Sequence, residues 1–306
     1  MARRRWYGSD RGLTTRMTLT IFGLGLVYVI FIAALIAVGT SAIVILLIAG
    51  GFALAQIFFG DKIALAAMRA RVTEPHEAPE LHATIERLCQ LADLPKPKIA
   101  VSQMDMPNAF AAGHSRKTAT VCVTTGLMQQ LEPRELDGVL AHELSHIANR
   151  DVVVMTVAGF LATVAGLLVR FSVYSGMMGG RSRDNTAVVF LVVVVASIVV
   201  YVLSFLLLRA LSRYREYAAD RGAAIITGAP AQLASALQKI SGNMSRIPTR
   251  DLRAAEGMNA FFIMPAVAKG FSLSSIVSTH PPTEKRIERL LAMQAQIDGA
   301  PAAALS

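Results

Sequence analysis

Charge is scarce in this chain of 306 residues: 17% are Asp, Glu, Lys or Arg and 54% are hydrophobic, whereas a soluble globular domain carries roughly 25% charged residues. A disordered chain needs the opposite balance and is excluded; an enzyme working wholly in water is disfavoured. Cysteine is scarcer still. Cys89 and Cys122 are the only two, too few for a disulfide framework, and they point to a reducing compartment. No charged side chain at all occurs between Met17 and Gly60. Gly39-Thr40-Ser41 splits that run into halves, each long enough to cross a bilayer, which takes about 20 apolar residues. A secretory signal has a shorter apolar core, about 7–15 residues, so the run reads as an anchor. Two further runs follow. One extends from Val152 toward Met178 and contains Arg170, which has to snorkel, pair or face protein. The other extends from Thr186 to Leu208 and is dense in valine and leucine.

The charge that is present has a pattern. Arg3, Arg4, Arg5, Arg11 and Arg16 precede the first run, Lys62, Arg69 and Arg71 follow the second, and Arg209, Arg213 and Arg215 follow the fourth. By the positive-inside rule these ends are cytoplasmic, against the minority vote of Arg181 and Arg183 in the loop Gly179–Asn185. Four spans put both termini in the cytoplasm and turn the net charge of +9 into membrane collars. With no recognition motif beside that charge, a nucleic-acid partner is not expected. The expected architecture is a mainly α membrane protein. It has a basic leader at 1–16, spans within 17–60, a first cytoplasmic piece at 61–151, spans within 152–208 and a second cytoplasmic piece at 209–306.

The water-facing pieces together make one α+β domain. Ala78-Pro79-Glu80-Leu81 opens an amphipathic helix with Leu81, Ile85, Leu88 and Leu91 on one face, on which His82 and Cys89 read as structural residues. Pro95-Lys96-Pro97 stops it, and two β-rich runs follow, Lys98–Ser102 and Thr118–Thr124, with Asn108–Gly113 in the loop between them. His76 and His114 lie in Pro- and Gly-bordered loops and read as solvated. Gly242–Ser278 lacks clean periodicity and reads as irregular. Met177, Met178, Met258 and Met264 fit either an adaptable groove or core and lipid contacts.

Chemistry enters with His142-Glu143-Leu144-Ser145-His146, an H-E-x-x-H pattern on a stretch opened by Pro133. Residues four apart share a helix face, so both imidazoles can close on one zinc ion while Glu143 works on its water. A catalytic zinc takes three protein ligands and leaves one position open. The metzincin extension needs Gly at 149 and His at 152, where this chain has Asn149 and Val152. A carboxylate from a later helix is the other common choice. Arg213–Asp220 offers Glu216 as the ligand, with Asp220 one turn on to hold the far nitrogen of a ligating histidine; alone, such a pair is most often a solvated face. At 1.5 Å per residue, His146 and His142 lie roughly 8 and 14 Å before Asp151, and Glu216 roughly 11 Å beyond Arg209. Helices running unbroken from the third and fourth spans would therefore assemble the site just above the cytoplasmic surface. Arg134, Glu135, Asp137, Arg150 and Asp151 flank the motif and keep it out of hydrocarbon, so cleavage is expected in loops or unfolded segments near that surface. His280 and Arg286 are candidate donors to a tetrahedral oxyanion; alternatively His280 caps the following helix and Arg286 serves a salt bridge. The competing class is a non-proteolytic scaffold with a structural zinc, but such sites usually have four ligands and are often cysteine-rich. A transporter would want more charge inside its spans than Arg170.

In order and spacing, Asn108-Ala109-Phe110-Ala111, Ala141–His146 with Asn149-Arg150-Asp151, Glu216-Tyr217-x-Ala219-Asp220, and His280-Pro281-Pro282 with Arg286 resemble the HtpX-type membrane zinc endopeptidases, relatives of the CAAX prenyl endopeptidases. The resemblance implies a zincin-type (gluzincin) domain on four transmembrane helices. It implies one Zn2+ held by His142, His146 and Glu216, with Glu143 as catalytic base. It also implies a quality-control role in a bacterial inner membrane, cleaving misfolded or damaged membrane proteins. The segment matching Asn108–Ala112 then borders the cleft, where an edge strand can pair with an extended substrate; the alternative is an ordinary hairpin loop.

Overall fold

The computed structural model describes residues 11–37, 42–151, 153–155, 158–159, 184–244 and 280–299. Helices α1 (Arg11–Ala37) and α2 (Ala42–Ala67) lead to strand β1 (Ala70–Val72), helix α3 (Pro79–Ala92) and strands β2 (Lys98–Ser102), β3 (Ala109–Ala112) and β4 (Thr120–Thr124). Then come helices α4 (Thr125–Gln130), α5 (Pro133–Asn149), α6 (Asp184–Thr227), α7 (Pro230–Met244) and α8 (Thr283–Ile297). Most of the expected third span lies outside the described residues, as do the turn at 39–41, the loop at 179–183, the ends 1–10 and 300–306, and Met177, Met178, Met258 and Met264. The stretch read as irregular from Gly242 is helical to Met244, and the rest of it to Ser278 is also outside.

The charge-poor runs become helices whose apolar side chains face two ways. On α1, Leu13, Thr20, Leu24 and Phe31 are buried at alternating spacings of seven and four, while Leu19, Phe22 and Val29 are exposed. α1 packs along α6, on which Ser197, Val200, Ser204 and Leu211 are buried. The outward faces are the kind of extended apolar surface that lipid covers. Among the described residues, Arg11–Ala33 and Val194–Thr227 contain stretches long and apolar enough to cross a bilayer.

Past its apolar half, α2 carries the chain to a four-stranded sheet of order β1-β2-β4-β3, with β2 and β4 parallel and the outer pairings antiparallel. Side chains alternate across it. Ala100, Phe110 and Cys122 pack on Ala64 and Met68 at the end of α2. Ile99, Val121 and Val123 pack on Leu81, Ile85 and Leu88 of α3 and Val139, Leu140 and Leu144 of α5, and this core continues to Leu233 and Leu237 of α7 and Leu290 of α8. Each wholly buried aliphatic side chain contributes about 1.5–3 kcal/mol, so the domain built around the sheet has its own core, joined to the long apolar helices through α2 and α6. Two strands were not visible in the sequence. β1 is three residues long, and β3 is the alanine-rich segment otherwise placed in a loop; neither composition favours a strand by itself. β3 lies at the sheet edge.

Helix α5 starts in a capping box, in which Glu135 Oε2 accepts from the Glu132 backbone N–H at 2.9 Å. Glu135 also accepts from Ser235 at 2.6 Å and from Lys239 at 2.8 Å, pinning α5 to α7. The far end corrects the expectation of a helix running unbroken into the third span. Arg150 adopts the left-handed conformation (φ 56°, ψ 40°), its N–H returns to the carbonyls of His146 and Ile147, and helical residues resume at Asp151. On the other side α6 is continuous from Asp184 to Thr227, as expected for the helix bearing Glu216.

α5 and α6 cross closely where Gly222 meets Ser145: a Cβ on Gly222 would lie 2.3 Å from Ser145 Oγ and 2.7 Å from its Cβ. Ser145 is already committed, donating to the Ala141 carbonyl at 2.8 Å. Gly222→Ala is therefore expected to spread the crossing and cost about 1–3 kcal/mol. This would appear as a lower thermal unfolding midpoint in detergent; an unchanged midpoint would mean that the crossing gives way freely.

Candidate active site

The crossing brings α5's His142, Glu143 and His146 against α6's Glu216 and Asp220. The two Nε2 atoms of His142 and His146 are 3.1 Å apart. Glu216 Oε2 lies 3.6 Å from His142 Nε2, and Glu216 Oε1 lies 3.5 Å from His146 Nε2. The three side chains offer ligand atoms within 4.8 Å of one another. Behind each ring stands a carboxylate: Asp220 Oδ1 is 3.0 Å from His142 Nδ1, and Asp151 Oδ2 is 2.6 Å from His146 Nδ1. The hydrogen bond to Asp151 places the ring proton of His146 on Nδ1, and the Asp220 charge beside His142 Nδ1, though off the line of a hydrogen bond, favours the same tautomer there, in which each Nε2 presents a lone pair. Two lone pairs and an anionic carboxylate thus converge, which is repulsive unless a cation or proton lies between them.

The charge balance points the same way. Around the histidines, the described residues include four buried carboxylates, Glu143, Asp151, Glu216 and Asp220, and two buried guanidiniums, Arg215 and Arg286. With neutral imidazoles and all four acids ionised the cluster carries two negative charges in excess, which a divalent cation cancels. Burial of uncompensated charge is costly. Two imidazoles and a carboxylate are also the ligands of an open catalytic zinc site, and Glu216 Oε2 is buried without an aligned hydrogen bond. The residues therefore fit a divalent metal.

Individual groups feel this crowding. Burial opposes charge on His142, but Asp220 and Glu216 outweigh it and raise its pKa to about 9. Burial also opposes ionisation of Glu216, yet His280, His142 and Arg286 hold its carboxyl well below the usual range. Asp220 is lowered, Arg286 and His142 overcoming its burial. Asp151 is lowered in the same way by His146 and Arg215. Glu143 goes the other way: burial pushes it up and Glu216 adds to the rise, against the opposing pull of the two histidines and the Ala111 N–H.

Arg286 and His280 come to the same place from the chain's end. The Arg286 guanidinium, 1% exposed, donates to both oxygens of Asp220 at 2.7 and 3.0 Å and lies 3.3 Å from Glu216 Oε2. That is the salt-bridge arrangement allowed for it. His280 Nδ1 lies 3.0 Å from Glu216 Oε2, and α8 begins after Pro282 without a side-chain cap. Asn108 is buried, and its N–H donates to Thr124 Oγ1 at 2.8 Å, anchoring the start of β3. Ala109 and Ala111 turn their side chains toward the α5 side of the sheet. No strand pairs with the outer edge of β3 among the described residues. Beside His146, a small pocket is lined by Ala111, Ala112, Gly113, His114, Ile147 and Asp151. His114 is half-buried there, its ring 5.4 Å from that of Phe58; His82 is buried, its Nε2 3.1 Å from the Thr73 carbonyl oxygen.

The sequence alone gives two residues of this cluster no role in the site: Asp151 counts there only among the charges flanking the motif, and Arg215 only within a basic collar. Their nearest signals were an acid just past the end of the H-E-x-x-H helix and a base directly before Glu216.

Residues 75–294 match the model of Peptidase family M48. The chain is 54% identical to a protein named Protease HtpX homolog 1 from Streptomyces coelicolor, covering 97% of each. It is also 54% identical to Protease HtpX homolog 2 from Methanosarcina mazei, over 96% of this chain and 99% of that one. Among solved structures, the crystal structure of S. mikatae Ste24p is similar with a TM-score of 0.49 and 18% identity; the match covers 87% of this chain and 62% of that one.

Proposed function

The chain belongs to peptidase family M48 and is a membrane metalloprotease, and on that premise we propose that it is a zinc endopeptidase cutting polypeptides at the cytoplasmic face of the membrane. His142, His146 and Glu216 are the metal ligands and Glu143 the general base. The observation that carries this reading is the convergence of two Nε2 lone pairs and the Glu216 carboxylate inside a cluster short of two positive charges. When bound, zinc supplies Lewis-acid polarisation of a carbonyl and an attacking water acidified to a pKa of about 7.

The rest is done by the chain. Glu143 accepts the proton of the attacking water and delivers it to the departing amine; its interaction with the Ala111 N–H ties it to the strand that borders the cleft. β3 takes the substrate by strand addition, so recognition is mainly of extended backbone, and the small side chain of Ala111, at the pocket beside His146, leaves room for it. Such a site selects loops and unfolded segments, which suits misfolded or damaged membrane proteins as substrates. Asp220 orients His142, and Arg286 fixes both Asp220 and Glu216, a positioning role. His280 remains the candidate for supporting the oxyanion.

Four spans are the topology proposed, with both termini and the catalytic domain cytoplasmic in a plasma membrane. The support is the charge-free run from Met17 to Gly60, the basic collars, and an unbroken α6 that carries Glu216 out of the fourth span. The scaffold alternative is disfavoured by the ligand set, which offers three donors with Glu143 beside them. The test is metal removal. Chelation of the purified protein in detergent is expected to abolish cleavage of an unfolded polypeptide, and one zinc per chain to restore it. Undiminished cleavage by protein shown to be metal-free would end this reading.

A further inference from the structure

We propose that Asp151 is a positioning residue for His146, held to its task by Arg215 and by the left-handed corner at Arg150. The inference rests on His146 being a metal ligand and adds what makes it one. The Asp151 carboxylate is used at both ends. Oδ2 accepts from His146 Nδ1 at 2.6 Å, a short charge-assisted bond, and Oδ1 lies 2.9 Å from Arg215 Nε. The Arg215 contact is off the line of a hydrogen bond and acts through charge. Asp151 is 4% and Arg215 8% exposed, so little water competes for either.

The corner is what makes the contact possible. In an unbroken helix a residue five positions on lies about 140° around the axis, pointing away from the ring it would have to reach. The left-handed turn at Arg150 ends α5 and redirects the chain, bringing the next side chain back onto His146. Because the bond leaves Nδ1 protonated, it selects the tautomer whose Nε2 faces the metal and fixes the plane of the ring. At His142 the matching carboxylate is Asp220, whose Oδ1 lies 3.0 Å from Nδ1 off the line of a hydrogen bond and is backed by Arg286. The two clamps differ in origin. Asp220 and Arg286 lie on α6 and α8, whereas Asp151 opens the helical residues that lead toward the membrane. Arg215 precedes Glu216, so one helix supplies a ligand and, through its neighbour, the support of another ligand.

The test is zinc affinity, measured by competition with a chromogenic chelator on the full-length protein in detergent after each variant's fold has been checked by circular dichroism. Asp151→Ala is expected to weaken binding by about 10–100-fold, the usual effect of losing such a partner, and Asp151→Asn by less, since the amide oxygen can still accept from Nδ1. Two substitutions at Arg150 carry the test if Asp151→Ala fails to fold. Glycine enters the left-handed region without steric cost, so Arg150→Gly should bind zinc within about twofold of wild type. Arg150→Val, β-branched and disfavoured there, should lose affinity as Asp151→Ala does. A purely structural role would lower the unfolding midpoint without moving the affinity of the folded protein. Wild-type affinity in folded Asp151→Ala, or equal affinities for the Gly and Val variants, would overturn the proposal. His146→Ala separates the two levels: if it too keeps wild-type affinity, the ligand assignment has failed and not merely its support.

Discussion

Glu143→Gln is expected to bind one zinc per chain and to cleave an unfolded polypeptide about 10²–10⁴-fold more slowly than wild type, the range associated with removing a general base. Glutamine has the same shape and fits the same buried site, but its amide cannot take a proton from water. Stability should not fall. Burial already disfavours the charge on Glu143, and a neutral group there removes one anion from a cluster with too many. The pair of measurements is turnover against metal content by elemental analysis. Turnover near the wild-type rate would remove Glu143 as the base, and loss of zinc with loss of turnover would make it a ligand instead.

Glu216→Ala should have the larger effect on the metal. Loss of a group that merely supports a ligand costs about 10–100-fold in affinity; loss of the proposed carboxylate ligand should exceed that, and turnover should fall with it. The substitution also removes the carboxylate that Arg286 Nη1 and the His280 ring now face at 3.3 and 3.0 Å, leaving Asp220 to balance the buried guanidinium, and loss of one partner from a buried ion-pair cluster is destabilising. Glu216→Gln keeps the volume and a neutral oxygen, and should fall between the two. Zinc per chain after gel filtration, with a dissociation constant from chelator competition, checks the prediction; unchanged values would send the search for the third ligand elsewhere.

These two residues were reached from the sequence by different routes. Glu143 needed only a helix, since spacing along one helix is a local property. Glu216 needed the metal's demand for a third ligand and a count of residues along an unbroken helix, and α6 is unbroken. On the α5 side the same count missed the turn at Arg150. An arginine in the left-handed region leaves no signal in composition or periodicity, unlike the glycine that usually occupies it. The missed strands have a related cause: Ala70–Val72 and Ala109–Ala112 are held by their neighbours β2 and β4, not by their own preference for extended structure. Arg286 was recognised as a candidate, but whether its guanidinium would meet a substrate or a carboxylate depended on where α8 docks.

By itself, the sequence determined the membrane character, the helix bearing two histidines and a glutamate, and the need for a distant acid, because long apolar runs and fixed helical spacing act within a few turns of chain. Only the tertiary structure decided which imidazole Asp220 backs, that Asp151 backs the other, that Arg215 and Arg286 balance them, and that β3 is an edge. Those relations join residues far apart in the chain or turned by a corner, and they exist only where packed helices bring buried charges close enough to pair.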